Sequence, residues 1–233
     1  MNNPADAKVR AFQDEWLRYW NRLDARLCSY TADDGTKRFV AFTDLRKTVV
    51  VDPAFTVSKD SDRTAIIVLG TDGDTGKHLV LDAVALKLEA KDSAVEAIEL
   101  CRQWKASRIF IESVAQQAAY IQFVQAEARA RNVPLAVEAV RPGGRHKEVR
   151  IDALGAYFKN AQLYVHSSQA ELLEEYQKYP KTRYKDLLDA LAYAIERAPL
   201  VSRNSQLGDI KSRSRAALDD YYRKRGMTPS FVL

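Results

Sequence analysis

Two short apolar runs in this chain end on an acid: Thr48-Val49-Val50-Val51 leads into Asp52, and Ile109-Phe110-Ile111 leads into Glu112. Runs of this length, rich in β-branched residues, read as buried strands, which puts both carboxylates on the rim of a sheet. A further acidic position, shared by Asp186 and Asp189, opens the apolar stretch from Leu187 to Ile195. Charge at such places is costly to bury without a partner. A divalent cation is one such partner. Acids from distant parts of a chain, gathered at one sheet edge, form an oxygen cage suited to Mg²⁺ or Mn²⁺, with positions left for water and phosphate.

The predicted elements around these acids follow a narrow order. Strands at 47–51, 64–70 and 78–86, joined by a loop at 56–63 and the turn Thr71-Asp72-Gly73-Asp74, make an antiparallel meander. A helix at 92–105 comes next, with Asp92 or Ser93 as its cap and Ala94, Ala97, Ile98 and Cys101 on one face. A strand (108–112), a helix (116–131) and a strand (135–139) then alternate as parallel crossover units do. Beyond them the pattern predicts a helix to about Asn160, a short extra strand at Leu163-Tyr164-Val165, and helices from Gln169 to Tyr179 and from Lys185 to Arg197. The order β-β-β-α-β-α-β predicts an α/β fold with a mixed five-stranded sheet whose first three strands are antiparallel.

The flanks read differently. Residues 8–27, with Trp16, Tyr19 and Trp20 close together, have roughly helical spacing and predict a short docking helix. The polar stretch Ser29 to Arg38 reads as a linker, so the core is expected to begin near Arg46. After Pro199 the chain loses hydrophobic periodicity and gains Lys, Arg and Ser, which predicts a mobile basic tail. The expected organisation is an arm over 1–45, a core domain over 46–200 and a tail over 201–233.

Composition limits what such a site serves. A chain of 233 residues, 46% hydrophobic, is long enough for one substantial core. The net charge of +5 favours an anionic partner, yet 31 acids accompany 36 Lys and Arg, so the positive charge matters only where it clusters. Cys28 and Cys101 form no CxxC or Cys/His cluster, which argues against zinc and predicts two free thiols in a reducing compartment. No run reaches the length of a membrane span and the N-terminus lacks a signal pattern, so a soluble, cytosolic protein is expected.

Positive charge does cluster. The turn Arg141-Pro142-Gly143-Gly144-Arg145-His146-Lys147 precedes a helix. Its glycines allow close backbone approach, and Arg141, Arg145, Lys147 and Arg150 are placed to meet phosphates, with His146 among them. A second set, Lys178, Lys181, Arg183 and Lys185, precedes the last core helix and would flank the acids. Each residue also has a structural explanation. Asp52 before Pro53 suits a turn, Glu112 and Asp186 suit helix caps, and any one basic residue suits a solvated surface.

The combination resembles the C-terminal nuclease domain of viral large terminase subunits, the DNA-packaging motors of tailed bacteriophages, within the ribonuclease H-like superfamily. The resemblance rests on Val50-Val51-Asp52-Pro53-Ala54 followed by Asp62-Arg63-Thr64-Ala65, on Ile111-Glu112-Ser113, and on Lys185-Asp186-Leu187-Leu188-Asp189-Ala190-Leu191-Ala192-Tyr193-Ala194. With the segment Phe12 to Trp20 it covers about residues 10–200. It implies helices on both faces of the sheet and a metal-dependent endonuclease acting on concatemeric double-stranded phage DNA in the host cytoplasm. It also implies as partners an ATPase domain, a small terminase subunit and a portal protein. No GxxxxGK[ST] loop occurs, so the ATPase half of a terminase is absent from this chain. Phosphodiester hydrolysis by two cations would use Asp52 as the bridging ligand, with Glu112 and Asp189 or Asp186 completing one ion each. Asp189 is favoured, with Asp186 one turn away on the same face. Asp62 matches a family position and is an accessory candidate. Two alternatives stay open: another nuclease of this fold, of the junction-resolvase or transposase type, and a non-catalytic DNA-binding packaging module.

Overall fold

The computed structural model describes residues 11–54, 63–112, 118–140, 144, 146–199 and 207–227. Three strands, β1 (Trp20–Arg22), β2 (Leu27–Thr31) and β3 (Lys37–Ala41), form a small antiparallel sheet. The main sheet follows with β4 (Leu45–Asp52), β5 (Thr64–Asp72), β6 (His78–Leu86), β7 (Arg108–Glu112), β8 (Ala136–Val140) and β9 (Leu163–Tyr164). The helices are α1 (Ala90–Trp104), α2 (Ala118–Ala130), α3 (Lys147–Lys159), α4 (Ala170–Lys178), α5 (Asp186–Arg197) and α6 (Leu207–Arg223). Among the described residues, no helix is long and apolar enough to cross a membrane.

The main sheet has the order β8-β7-β4-β5-β6-β9. β4, β5 and β6 form the expected antiparallel meander, and β7 and β8 add in parallel beside β4. The predicted five strands are present, and the short β9 makes a sixth by pairing in parallel with β6. β5 is buried along its whole length because both faces of the sheet are covered, which is why its centre, Ala65 to Leu69, is a continuous apolar run rather than an alternation. Gly70 within it allows the side chains of Leu45 and Leu81 to close over the strand; a Cβ there would stand 2.9 Å from Leu81 Cδ1.

Strand alternation divides the core into two layers. Val49, Val51, Ile66 and Val68 face α1 and α2, together with Trp20, Tyr30 and Phe42 from the N-terminal region. Val50, Ile67, Leu69 and Phe110 face α3, α4 and α5, together with Phe12. α5 is buried almost throughout, from Asp186 to Ile195.

The flanks depart from expectation. Residues 8–10 of the expected helix lie outside the described residues; over 11–27, in place of a helix, there is one 3-10 turn at Asp14–Trp16, then β1 and the start of β2. The supposed linker supplies Ser29–Thr31 of β2 and Lys37–Arg38 of β3, joined by a tight turn with Gly35 at φ +80°. Tertiary partners override the local spacing here. Trp20 Nε1 donates to the Val80 carbonyl at 2.8 Å, and Tyr30 Oη donates to Asp72 at 2.6 Å. Backbone hydrogen bonds between Arg18–Trp20 and Val165 carry the small sheet onto β9. The hydrophobic core therefore starts well before residue 46. The tail also includes order: α6 lies against β3, where Ser214 Oγ donates to Asp44 and accepts from the Ala41 amide, and Leu218 is buried.

Trp20→Ala should lower stability by about 3–5 kcal/mol, the usual range for removing a large buried aromatic. Urea denaturation checks this, and a loss below about 1 kcal/mol would place the N-terminal strands outside the cooperative core.

Candidate metal centre

Register alone brings the first two acids together. Val51 pairs with Ile111 across the parallel β4 and β7, so Asp52 and Glu112 follow as neighbours at the ends of adjacent strands. Asp52 shares the strand face of Val50, and Glu112 shares that of Phe110. Both carboxylates thus leave the sheet on the side covered by α5. The first turn of α5 contributes Asp186 and Asp189, where negative charge complements the helix dipole. Asp186, Asp189 and Tyr193 form one stripe along α5 at spacings of three and four residues.

Charge on this stripe is met by cations from other elements. Arg150 on α3 grips Asp189 with Nε and Nη2, each at 2.9 Å, and its side chain is only 7% exposed. Lys147, one turn earlier on α3, donates to Asp186 at 3.2 Å and lies 3.6 Å from Asp189. Arg63, before β5, bonds Glu175 at 2.8 Å, pairs with Glu171 and lies 3.6 Å from Asp186. Glu175 in turn accepts the Leu188 amide at 3.1 Å, meeting one of the free N–H groups of the α5 start. Tyr193 donates to Glu112 at 2.6 Å.

Burial, then the nearby Glu112 charge and a hydrogen bond with Glu112, raise the Asp52 carboxyl well above its ordinary range; Asp189 adds to this and Lys147 opposes it. Burial also raises Asp189, against Lys147 and Arg150. Burial alone would lower Lys147, but the carboxylates of Asp186, Asp189 and Asp52 outweigh it and hold the ammonium firmly protonated. Burial pushes Glu175 up to about 7 despite the Leu188 amide and Arg63. Of the two α5 acids, Asp189 is the one whose charge bears on both Asp52 and Glu112.

Among the described residues, no group of three or more His, Cys, Asp or Glu is gathered as a ready ligand set. Lys147 and Arg150 stand among the acids instead. Three features nonetheless fit a hard cation. The donors are all carboxylate oxygens, Asp186 Oδ2 is buried with no hydrogen-bond partner, and Asp52 and Glu112 lie close enough to share a proton.

The other expected site residues divide. Asp62, Arg141 and Arg145 lie outside the described residues. His146 is exposed at the start of α3, and Lys181 and Arg183 are exposed before α5. Lys185 is half-buried, 3.7 Å from Glu148. Lys147 and Arg150, expected to meet DNA phosphates, turn inward to the acids because α3 packs against α5; Arg150 is buried in its pair with Asp189. Arg63, Glu175 and Tyr193 went unremarked as site residues. The signal for Tyr193 was its position one turn after Asp189, and for Glu175 its place on the apolar face of α4 beside Leu172 and Tyr176. For Arg63 the signals are its place directly before a buried strand and within the Asp62-Arg63-Thr64-Ala65 motif.

A mixed sheet with antiparallel β4-β5-β6, parallel β7 and β8, and acids at the ends of β4 and β7 and the start of α5 defines the class of ribonuclease H-like folds. The model of one family, the terminase RNaseH-like domain, matches residues 49–198, and the chain belongs to that family. Solved structures similar to it include the large terminase nuclease from thermophilic phage G20c with bound magnesium, at 14% identity and TM-score 0.53, covering 81% of this chain and 97% of that one. The nuclease domain of the large terminase subunit gp2 of bacterial virus Sf6 matches at 12% identity and TM-score 0.53, over 82% of this chain and 100% of that one. The P22 large terminase nuclease domain matches at 17% identity and TM-score 0.50, over 69% and 86%. These likenesses establish the shared fold. No curated protein matches the chain.

The raised Asp52 carboxyl has a consequence for stability. Between the ordinary carboxylate range and its raised value, the folded chain holds a proton that the unfolded chain releases, so metal-free stability falls as pH rises through that window. Asp52→Asn removes this term. In EDTA its melting temperature should exceed that of the parent at pH 7–8, with the gap closing below about pH 4, the ordinary carboxylate range. A lower melting temperature for the variant at pH 7–8 would contradict the assignment.

Proposed function

We propose that this chain is a divalent-metal-dependent endodeoxyribonuclease, the nuclease of a viral DNA-packaging terminase, which cuts concatemeric double-stranded DNA in the infected cell. One observation carries the reading. Strand register makes Asp52 and Glu112 neighbours, on the sheet face where α5 presents Asp189. Membership of the terminase family and the magnesium bound to the G20c nuclease support it.

Two Mg²⁺ or Mn²⁺ ions, when bound, would activate the attacking water and stabilise the leaving 3′ oxygen. Asp52 would hold both ions, with Glu112 and Asp189 each completing one and Asp186 close by. Tyr193 fixes the orientation of Glu112, and the two-pronged grip of Arg150 fixes that of Asp189. Lys147 neutralises the acids in the absence of metal, and its ammonium would be released to meet a phosphate oxygen if cations took over that task. His146, Lys181, Arg183 and Lys185 would track the DNA backbone, a contact that positions without reading sequence. An ATPase domain, a small terminase subunit and a portal protein are the partners this role requires.

The test is nicking of supercoiled plasmid in Mg²⁺ or Mn²⁺, with EDTA as the blank. Asp52→Ala, Glu112→Gln and Asp189→Asn should each reduce cleavage about a hundredfold or more, since each removes a ligand to ions that supply several kcal/mol. Asp186→Asn should cost less than Asp189→Asn. Metal-free DNA binding by mobility shift should survive in the Asp52 variant and weaken steeply with salt. A preference for four-way junctions over linear DNA would point to a resolvase. Absence of metal-dependent nicking would leave a DNA-binding module.

A further inference from the structure

A cavity of about 480 Å³ lies between the three-stranded sheet, the end of α1 and helix α6. Arg22, Arg26, Lys47 and Lys105 line it, over an apolar floor that includes Phe42 and Trp104, and no acidic residue is among those lining it within the described residues. Lys47 leaves β4 on the face of Val49 and Val51, opposite that of Asp52. It stands five residues before Asp52, or about 17 Å along the strand at ~3.3 Å per residue. The cavity is therefore separate from the acid cluster, on the other face and toward the other end of the sheet.

Its electrostatics are those of a site for an anion. Lys47 is half-buried and is held below the ordinary lysine value, first by burial, with Asp44 opposing and the neighbouring Lys105 ammonium adding to the depression. Lys47 Nζ donates to the Phe42 carbonyl, Asp44 is engaged by Ser214, and Arg26 pairs with Asp220 across the cavity rim. The Lys105 ammonium depresses Lys47, and a bound anion relieves such a contact between like charges. Lys105 also ends α1 in the left-handed conformation, φ +55°, where glycine is the usual residue. That backbone choice sets a cation at the cavity wall at some conformational cost.

The floor is aromatic: Phe42 and Trp104 meet edge to face, 5.5 Å between ring centres and 69° between planes, and both are nearly buried. The Arg22 guanidinium lies 4.7 Å from the Phe42 ring centre and 5.0 Å from that of Trp104. A guanidinium layered on aromatic rings offers its own plane to a further ring, as arginines do when they stack on bases. A volume of about 480 Å³ is within the range of small-ligand sites. We propose that this cavity binds a nucleotide, its phosphate between Lys47 and Lys105 and its base on the exposed Arg22 guanidinium that Phe42 and Trp104 hold in place. A free nucleoside phosphate and the terminal nucleotide of a DNA strand present the same chemistry.

The test uses the full chain in EDTA, so neither metal binding nor cleavage enters the readout, and the result stands apart from the nuclease reading. Calorimetry and tryptophan fluorescence follow titration with dAMP, ATP, inorganic phosphate and a short single-stranded oligonucleotide. Expected is saturable one-to-one binding of dAMP or ATP, or of the oligonucleotide, tighter than inorganic phosphate. Lys105→Gln and Arg22→Gln should each weaken it about tenfold, with thermal melting confirming that both variants fold. Free nucleotides competing with the oligonucleotide would assign the site to soluble nucleotide, and oligonucleotide binding alone, weakened by both Lys105→Gln and Arg22→Gln, would assign it to a strand end. The proposal is overturned if no nucleotide or oligonucleotide binds saturably, if inorganic phosphate binds as tightly, or if both folded variants bind like the parent.

Discussion

The structure around the candidate centre depends on neutralising carboxylates that the fold draws out of water. Asp186 and Asp189 are buried, Asp52 is nearly so, and Glu112 and Glu175 stand beside them. Carboxylates this close in a low-dielectric rim repel one another strongly. Lys147 and Arg150 from α3, and Arg63 from the segment before β5, supply the opposing charge. These pairs link α3, α4, α5 and the sheet edge through polar contacts at the centre, while apolar packing joins the same elements beneath it. Removing one partner of such a pair leaves a charge stranded and costs about 3–5 kcal/mol, whereas intact pairs contribute little net stability. Their role is better understood as keeping acids in place until a cation competes for them.

Backbone register sets the rest of the centre. Parallel pairing of β4 with β7 fixes Asp52 beside Glu112, and the alternation of strand faces sends both toward α5. A one-residue slip would reverse the faces and direct the acids toward α1 and α2. The opposite layer carries a different chemistry, with basic and aromatic side chains meeting where the small sheet, α1 and α6 come together.

Much of this was legible in the chain. β-branched runs ending on Asp52 and Glu112 fixed two rim positions, because a charge can follow a buried run only at its end. The stripe of Asp186 and Asp189 was readable from helical spacing. The N-terminal segment was not, since aromatic residues at Trp16, Tyr19 and Trp20 suit a helix and a strand equally. What decides between them is pairing with Leu27–Thr31 and a hydrogen bond to Val80, sixty residues away. Lys147 and Arg150 were legible as charge but not as direction. A basic turn before a helix faces solvent by default, and only the packing of α3 on α5 turns these two inward. Tyr193 stands one turn after Asp189 on the same helix, but its bond to Glu112, like the pairing of Arg63 with Glu175, joins residues distant in sequence that no local pattern reveals.

In the proposed centre, Asp52, Glu112 and Asp189 together hold divalent cations in place of Lys147. A crystal soaked in Mn²⁺, with anomalous scattering collected at the manganese edge, tests this most directly. Anomalous peaks bounded by these three carboxylates, with the Lys147 ammonium displaced from Asp189, are the predicted result. An ion-free cluster at saturating Mn²⁺, with Lys147 and Arg150 still closing on the acids, would contradict it.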